Sequence, residues 1–130
     1  MAEFIKTLSK QYLTTKLLHI NQEYCQNNII KDQFNCHIWQ KAKNSGGYGV
    51  IKLSEKGRSR TVLLHLLIYY LRKGQIPSEE ENVSHLCHKT LCINIDHLTV
   101  EPHRVNCQRS TCNEKKECLG HDPYPSCIFP

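Results

Sequence analysis

From Ala2 to His19 the apolar residues Phe4, Ile5, Leu8, Tyr12, Leu13, Leu17 and Leu18 recur at steps of three and four, with Lys6, Lys10 and Lys16 between them. That period predicts an amphipathic helix whose apolar stripe packs on the fold, although such a helix can also meet DNA or a partner. Asn21 to Asn35 is polar, with Asn27, Asn28 and Asp32 as turn formers, and reads as a loop or short strand. From Phe34 the pattern turns extended: Phe34, Cys36, Ile38 and Gln40 alternate with Asn35, His37, Trp39 and Lys41. Gly46-Gly47-Tyr48-Gly49 then supplies a turn before Val50-Ile51-Lys52-Leu53, and Ser54-Glu55-Lys56-Gly57 a second before Arg58-Ser59-Arg60-Thr61. Together these predict a β-ribbon between Trp39 and Thr61. Val62 to Gly74 is apolar nearly all round and ends in Arg72-Lys73-Gly74, the signature of a core helix and its C-terminus. His65 lies among its leucines and reads as a buried core histidine in preference to a metal ligand. Gln75 to Asn82, with Pro77 and Glu79-Glu80-Glu81, reads as an acidic connector. Leu98-Thr99-Val100 reads as a strand, and Glu101-Pro102 opens a helix carrying His103, Asn106 and Arg109 or Ser110.

These elements make an α+β fold. At 130 residues the chain forms one domain with a modest core, since 39% of its residues are hydrophobic and its mean hydropathy is -0.51. A small core leaves little margin, and eight cysteines offer the crosslinks that would widen it. Four disulfides in a secreted protein are one use of eight cysteines, and metal ligation is the other. No apolar signal segment opens the chain and no run reaches transmembrane length, so zinc and an intracellular, nuclear location are expected, with no membrane partner. The formal charge of +5 suits a polyanion. Six thiolates on two zinc ions would lower it to about +3, so the placement of charge says more than its sum.

Cys87, Cys92 and His97 fall at five-residue intervals, so one loop can turn three soft ligands onto a tetrahedral zinc, with a fourth ligand open. His85 precedes Cys87 by two and is a candidate general base beside a divalent-metal phosphodiester site, with an Asn nearby on a helix. His88 and His103 compete for that role, and His88, next to Cys87, should face away from His85. Lys41, Lys43, Lys52, Lys56, Arg58 and Arg60 fall within the ribbon and its approach, with Glu55 the one acid among them. A ribbon of one-signed charge has the width to enter the major groove of double-stranded DNA, where the bland alternative is a solvated strand face. Arg58 and Arg60 share a strand face, and one guanidinium at a scissile phosphate would stabilise the charge developing there.

The run Ser84-His85-Leu86-Cys87-His88, with Cys92, His97-Leu98 and Asn106, resembles the His-Cys box homing endonucleases, members of the ββα-metal or His-Me finger nucleases. The resemblance covers roughly Cys36 to Cys127. It implies a small zinc-stabilised ββα-metal fold with a basic β-ribbon and flanking helices. Residues 1–35 would be an N-terminal helix and connector, and residues 36–130 the nuclease domain with two structural zinc sites. It further implies His85 as general base, Asn106 as ligand of one catalytic magnesium, and one of Arg60 and Arg58 at the phosphate. Cys36, Cys87, Cys92 and His97 would hold the first zinc, and Cys112, Cys118, His121 and Cys127 the second. Cys107 is the alternative ligand to Cys118 or Cys127, and Cys25 has no partner in the pattern and reads as a buried or incidental thiol. Family members dimerise through a C-terminal arm longer than the three residues after Cys127, which leaves a homodimer on a palindromic site open. The expected activity is Mg-dependent endonucleolytic hydrolysis of DNA. Its rivals are a non-cutting zinc-dependent DNA-binding or regulatory module on the same fold, and a less specific nuclease acting on RNA or foreign DNA.

Overall fold

The computed structural model describes residues 2–129; Met1 and Pro130, the outermost residues of the two expected segments, lie outside the described residues. The expected N-terminal helix is two helices, α1 (Ala2–Lys6) and α2 (Lys10–Cys25). The break falls at Ser9, which caps α2 by accepting the Tyr12 backbone N–H at 3.1 Å while both its backbone N–H and its hydroxyl bond to the Glu55 carboxylate. A polar cap anchored on another element outweighs a continuous apolar stripe. Helix α2 also runs past His19 to Cys25, because Ile20 and Tyr24 continue the inward face through the polar stretch. The short strands β1 (Ile29–Lys31) and β2 (His37–Trp39) then pair antiparallel.

The ribbon is a hairpin of β3 (Val50–Glu55) and β4 (Arg58–Leu63), shorter than the expected span from Trp39. Residues 40–49 form a loop instead, held by the Trp39 indole N–H donating to the Ala42 carbonyl at 3.0 Å. Gly49 passes so close to that indole that a Cβ there would sit 3.0 Å from Trp39 Cδ1. Lys56 and Gly57 make the hairpin turn with φ of 52° and 75°, the left-handed pair that a two-residue hairpin loop needs. Leu53 and Val62 plug the hairpin into the core, where both are fully buried.

Helix α3 (Leu64–Lys73) follows directly and ends at left-handed Gly74 as expected, burying Leu64, Leu66, Leu67 and Ile68. Strand β5 (Glu81–His85) starts inside the stretch read as a connector and pairs with β6 (Leu98–Pro102). The strand β6 extends through Glu101-Pro102, and α4 begins one residue later, at His103, and runs to Lys115. Four helices and short antiparallel strand pairs around Cys/His clusters make the small α+β, zinc-stabilised His-Me finger fold. Among the described residues no helix is long and apolar enough to cross a membrane.

Candidate metal centres and active site

Cys36 precedes β2, and its backbone N–H and that of Phe34 both donate to the Asp32 carboxylate, which Lys89 holds from the far side at 2.7 Å. Cys87, Cys92 and His97 lie in the loop between β5 and β6. That loop is stitched to β2 by Trp39 N–H to Leu91 O at 2.9 Å and Ile93 N–H to His37 O at 2.8 Å. Asn94 caps the 3-10 turn Ile95–His97 and donates to Asn35 O at 2.7 Å, fixing His97 against the Cys36 segment. The four ligand atoms all lie within 4.8 Å of one another and every residue is buried. His97 Nδ1 is 3.6 Å from the sulfurs of both Cys36 and Cys92. Tetrahedral zinc with bonds of about 2.3 Å to sulfur and about 2.05 Å to nitrogen places those atoms about 3.6 Å apart, so the cluster fits the ion. Electrostatics agrees. The hydrogen bond from Cys87 holds the Cys92 thiol down to about 5, the same bond pushes Cys87 up, and burial lifts Cys36 to about 11. Without a cation only the Cys92 sulfur is favoured as a thiolate, and a bound zinc would supply the charge that ionises the other two.

The second cluster gathers Cys112 from α4 with Cys118, His121 and Cys127 from the tail. Sulfur to His121 Nε2 distances are 3.3 Å for Cys112 and 3.5 Å for Cys127, again near the tetrahedral value. Two Cys3His clusters therefore suit two structural zinc ions, and none of the eight cysteines forms a disulfide. Cys25 is exposed, not buried, and Cys107 faces solvent outside the cluster. The tail is tied to the sheet by Arg109. Its guanidinium forms a two-pronged ion pair with fully buried Glu101 at 2.6 and 2.7 Å, and also donates to Pro125 O and Cys127 Sγ.

Between α4 and the zinc loop lies a cavity of about 290 Å³ lined by His85, Asn106, His88, Tyr48, Thr90 and Arg109 among others. His85 ends β5. Its Nε2 is buried without a protein partner. Burial, with His65 beside it, pushes this imidazole down to about 3 and keeps it neutral. Asn106 presents its carboxamide on the first turn of α4, where Oδ1 accepts from buried Ser84 at 2.8 Å. Around Asn106 the cavity offers hard oxygen donors, Ser110, Asn113 and Glu114, whereas thiolates are confined to the two clusters. The two donor sets differ in hardness, the sulfurs suiting zinc and the oxygens a hard divalent cation.

The family described as the zinc-binding loop region of homing endonuclease matches residues 13–125. The chain belongs to that family. No curated protein and no solved structure matches it significantly. For a zinc-loop homing-endonuclease chain, membership supports a nuclease-type function acting on DNA. The match begins at Leu13, within α2.

Within this zinc-loop chain the structure brings His85 and Asn106 to one cavity and leaves others apart. Arg58 and Arg60 do not line it. The former donates to Thr7 Oγ1 at 2.8 Å and lies over the Phe4 ring, and the latter pairs across the hairpin with Leu53. Lys52 pairs with Thr61 and so sits on the opposite hairpin face from the two arginines. Lys43 and Lys56 are exposed, while Lys41 is engaged by Glu23 at 2.9 Å. His103 is held by Asn82 and Glu79 O away from the cavity. His88 shares the cavity with His85 instead of facing away, because its backbone takes the left-handed region at φ 62°. Sequence reasoning missed Ser84, Tyr48 and the Glu101–Arg109 pair; a carboxylate directly after the apolar strand Leu98-Thr99-Val100 was the available signal for the last.

Proposed function

We propose that this chain is a magnesium-dependent DNA endonuclease in which His85 is the general base and Asn106 the ligand of one magnesium ion. The observation that carries the reading is that His85, whose Nε2 is buried without a protein partner, and Asn106 line one cavity. A neutral ring with its Nε2 unpartnered takes a proton there from an attacking water. Ser84 keeps Asn106 Oδ1 oriented while leaving it a second lone pair for a cation. Asn106 would hold magnesium there, which would supply neutralisation of the charge developing at the scissile phosphate. The zinc ions are structural, and they hold the loop that follows His85.

The partner in this reading is double-stranded DNA. The exposed Lys43, Lys52, Lys56, Arg58 and Arg60, with Lys41, supply phosphate contacts along the hairpin and its approach. Either arginine reaches the scissile phosphate only from the bound duplex, since neither borders the cavity. A nuclear location and a homodimer on a palindromic site belong to the same reading.

Cleavage of supercoiled plasmid by wild type and by His85→Ala, with zinc content measured in both, tests it. Wild type should nick DNA with magnesium, and the variant should lose about 10²- to 10⁴-fold in rate while retaining both zinc ions. A folded, zinc-loaded wild type that binds duplex DNA and leaves it intact would replace this reading with a DNA-binding module on the nuclease scaffold.

A further inference from the structure

His65 is the second residue of α3 and is 5% exposed, as a core residue would be. Its surroundings are not those of a core residue. Its ring lies against the His85 imidazole, centroids 4.4 Å apart at 46°, and against Tyr48 at 5.6 Å and 27°. Tyr48 in turn meets His85 at 5.9 Å and 38°, so the three rings form a triangle in which His65 lies nearest to His85. Nδ1 of His65 is buried without a protein partner. A leucine or phenylalanine at this position would fill the space without burying an unpaired polar atom. An imidazole here needs a use that bulk alone does not provide.

We propose that His65 is a positioning residue for His85. Its ring packs on the His85 imidazole and, with Tyr48 bordering both, sets the plane of that ring. The proposal rests on His85 being the base, and it adds a residue outside the Cys/His ligand sets and the His85–Asn106 pair.

The test compares His65→Ala, which removes the ring, with His65→Phe, which keeps an aromatic ring there and loses the imidazole. Zinc content and unfolding midpoint show that each variant is folded. Long-range ¹⁵N–¹H correlation spectra report the His85 tautomer, and plasmid cleavage gives kcat and KM separately. In wild type His85 should show one tautomer, protonated on Nδ1. In His65→Ala the two ring nitrogens should average towards each other, and kcat should fall by about 100-fold with KM unchanged, as a misplaced catalytic group does. His65→Phe should fall between, with kcat down about tenfold. A single Nδ1-protonated tautomer in both variants, with kcat within twofold of wild type, would overturn the proposal and leave His65 a packing residue. If wild type fails to cleave while His65→Ala still scrambles the His85 tautomer, the clamp stands and the nuclease reading alone fails.

Discussion

Replacing Glu101 by glutamine isolates the ion pair that ties the second zinc loop to the sheet. The Glu101 and Arg109 side chains are 0% and 3% exposed, so neither can recover water when its partner changes. Glutamine keeps the shape and one acceptor oxygen. It loses the countercharge and sets an amide NH2 against the guanidinium. Removing one partner of a buried pair costs about 3–5 kcal/mol, because a charge is left in low dielectric without compensation. Arg109 keeps its bonds to Pro125 O at 2.7 Å and Cys127 Sγ at 3.3 Å, which places the expectation at the lower end, about 3 kcal/mol. Against a total stability of about 5–15 kcal/mol that is a large fraction, and it corresponds to a fall in Tm of about 10 °C.

The assay is urea unfolding at a fixed excess of zinc, so that metal linkage is common to all variants. The double variant Glu101→Leu with Arg109→Met removes both charges together and should cost less than Glu101→Gln alone, the mark of a pair whose worth lies in mutual neutralisation. A loss below 1 kcal/mol for Glu101→Gln, or a double variant worse than the sum of the singles, would refute this account of the pair.

Cys92→Ser should leave one tightly held zinc per chain by metal analysis and unfold the β5–β6 loop, since structural zinc contributes about 10–16 kcal/mol to small metal-bound folds. Gly49→Ala drives a methyl into Trp39 at 3.0 Å and should cost about 1–3 kcal/mol in urea unfolding, with a shifted emission from the single tryptophan. Lys52→Gln should weaken duplex binding uniformly across sequences and reduce the slope of log affinity against log salt by about 0.9, which a salt titration reads directly. No change in that slope would move DNA off the outer hairpin face.

What could be read from the sequence was what repeats at short range. The five-residue intervals of Cys87, Cys92 and His97, the position of His85 two residues before them, and the Arg72-Lys73-Gly74 stop of α3 are local signals, and each stands where it was expected. What the pattern misjudged depends on distant partners. Ser9 ends α1 because it bonds to Glu55, 46 positions away, and no periodicity within the N-terminal segment carries that contact. His65 reads as core because its neighbours are leucines, and only the pairing of β5 with β6 and the loop before β3 bring His85 and Tyr48 against it. Cys36 was reached through a family pattern and not through spacing, since it lies 61 positions from His97.

The same long-range economy links the metal to the chemistry. Cys92 supplies a sulfur to the first cluster while its backbone N–H donates to Lys89 O at 3.0 Å. His97 supplies a ligand nitrogen while its carbonyl accepts from Leu86, the residue after His85, at 2.8 Å. The strand bearing the proposed base is therefore bonded at its end to the backbone of a zinc ligand. In a chain with so small a core, these bonds give the imidazole a rigid frame that packing alone does not provide. Loss of the first zinc should for that reason abolish cleavage before it abolishes DNA binding through the hairpin, whose Leu53 and Val62 are seated in the main core away from the ion.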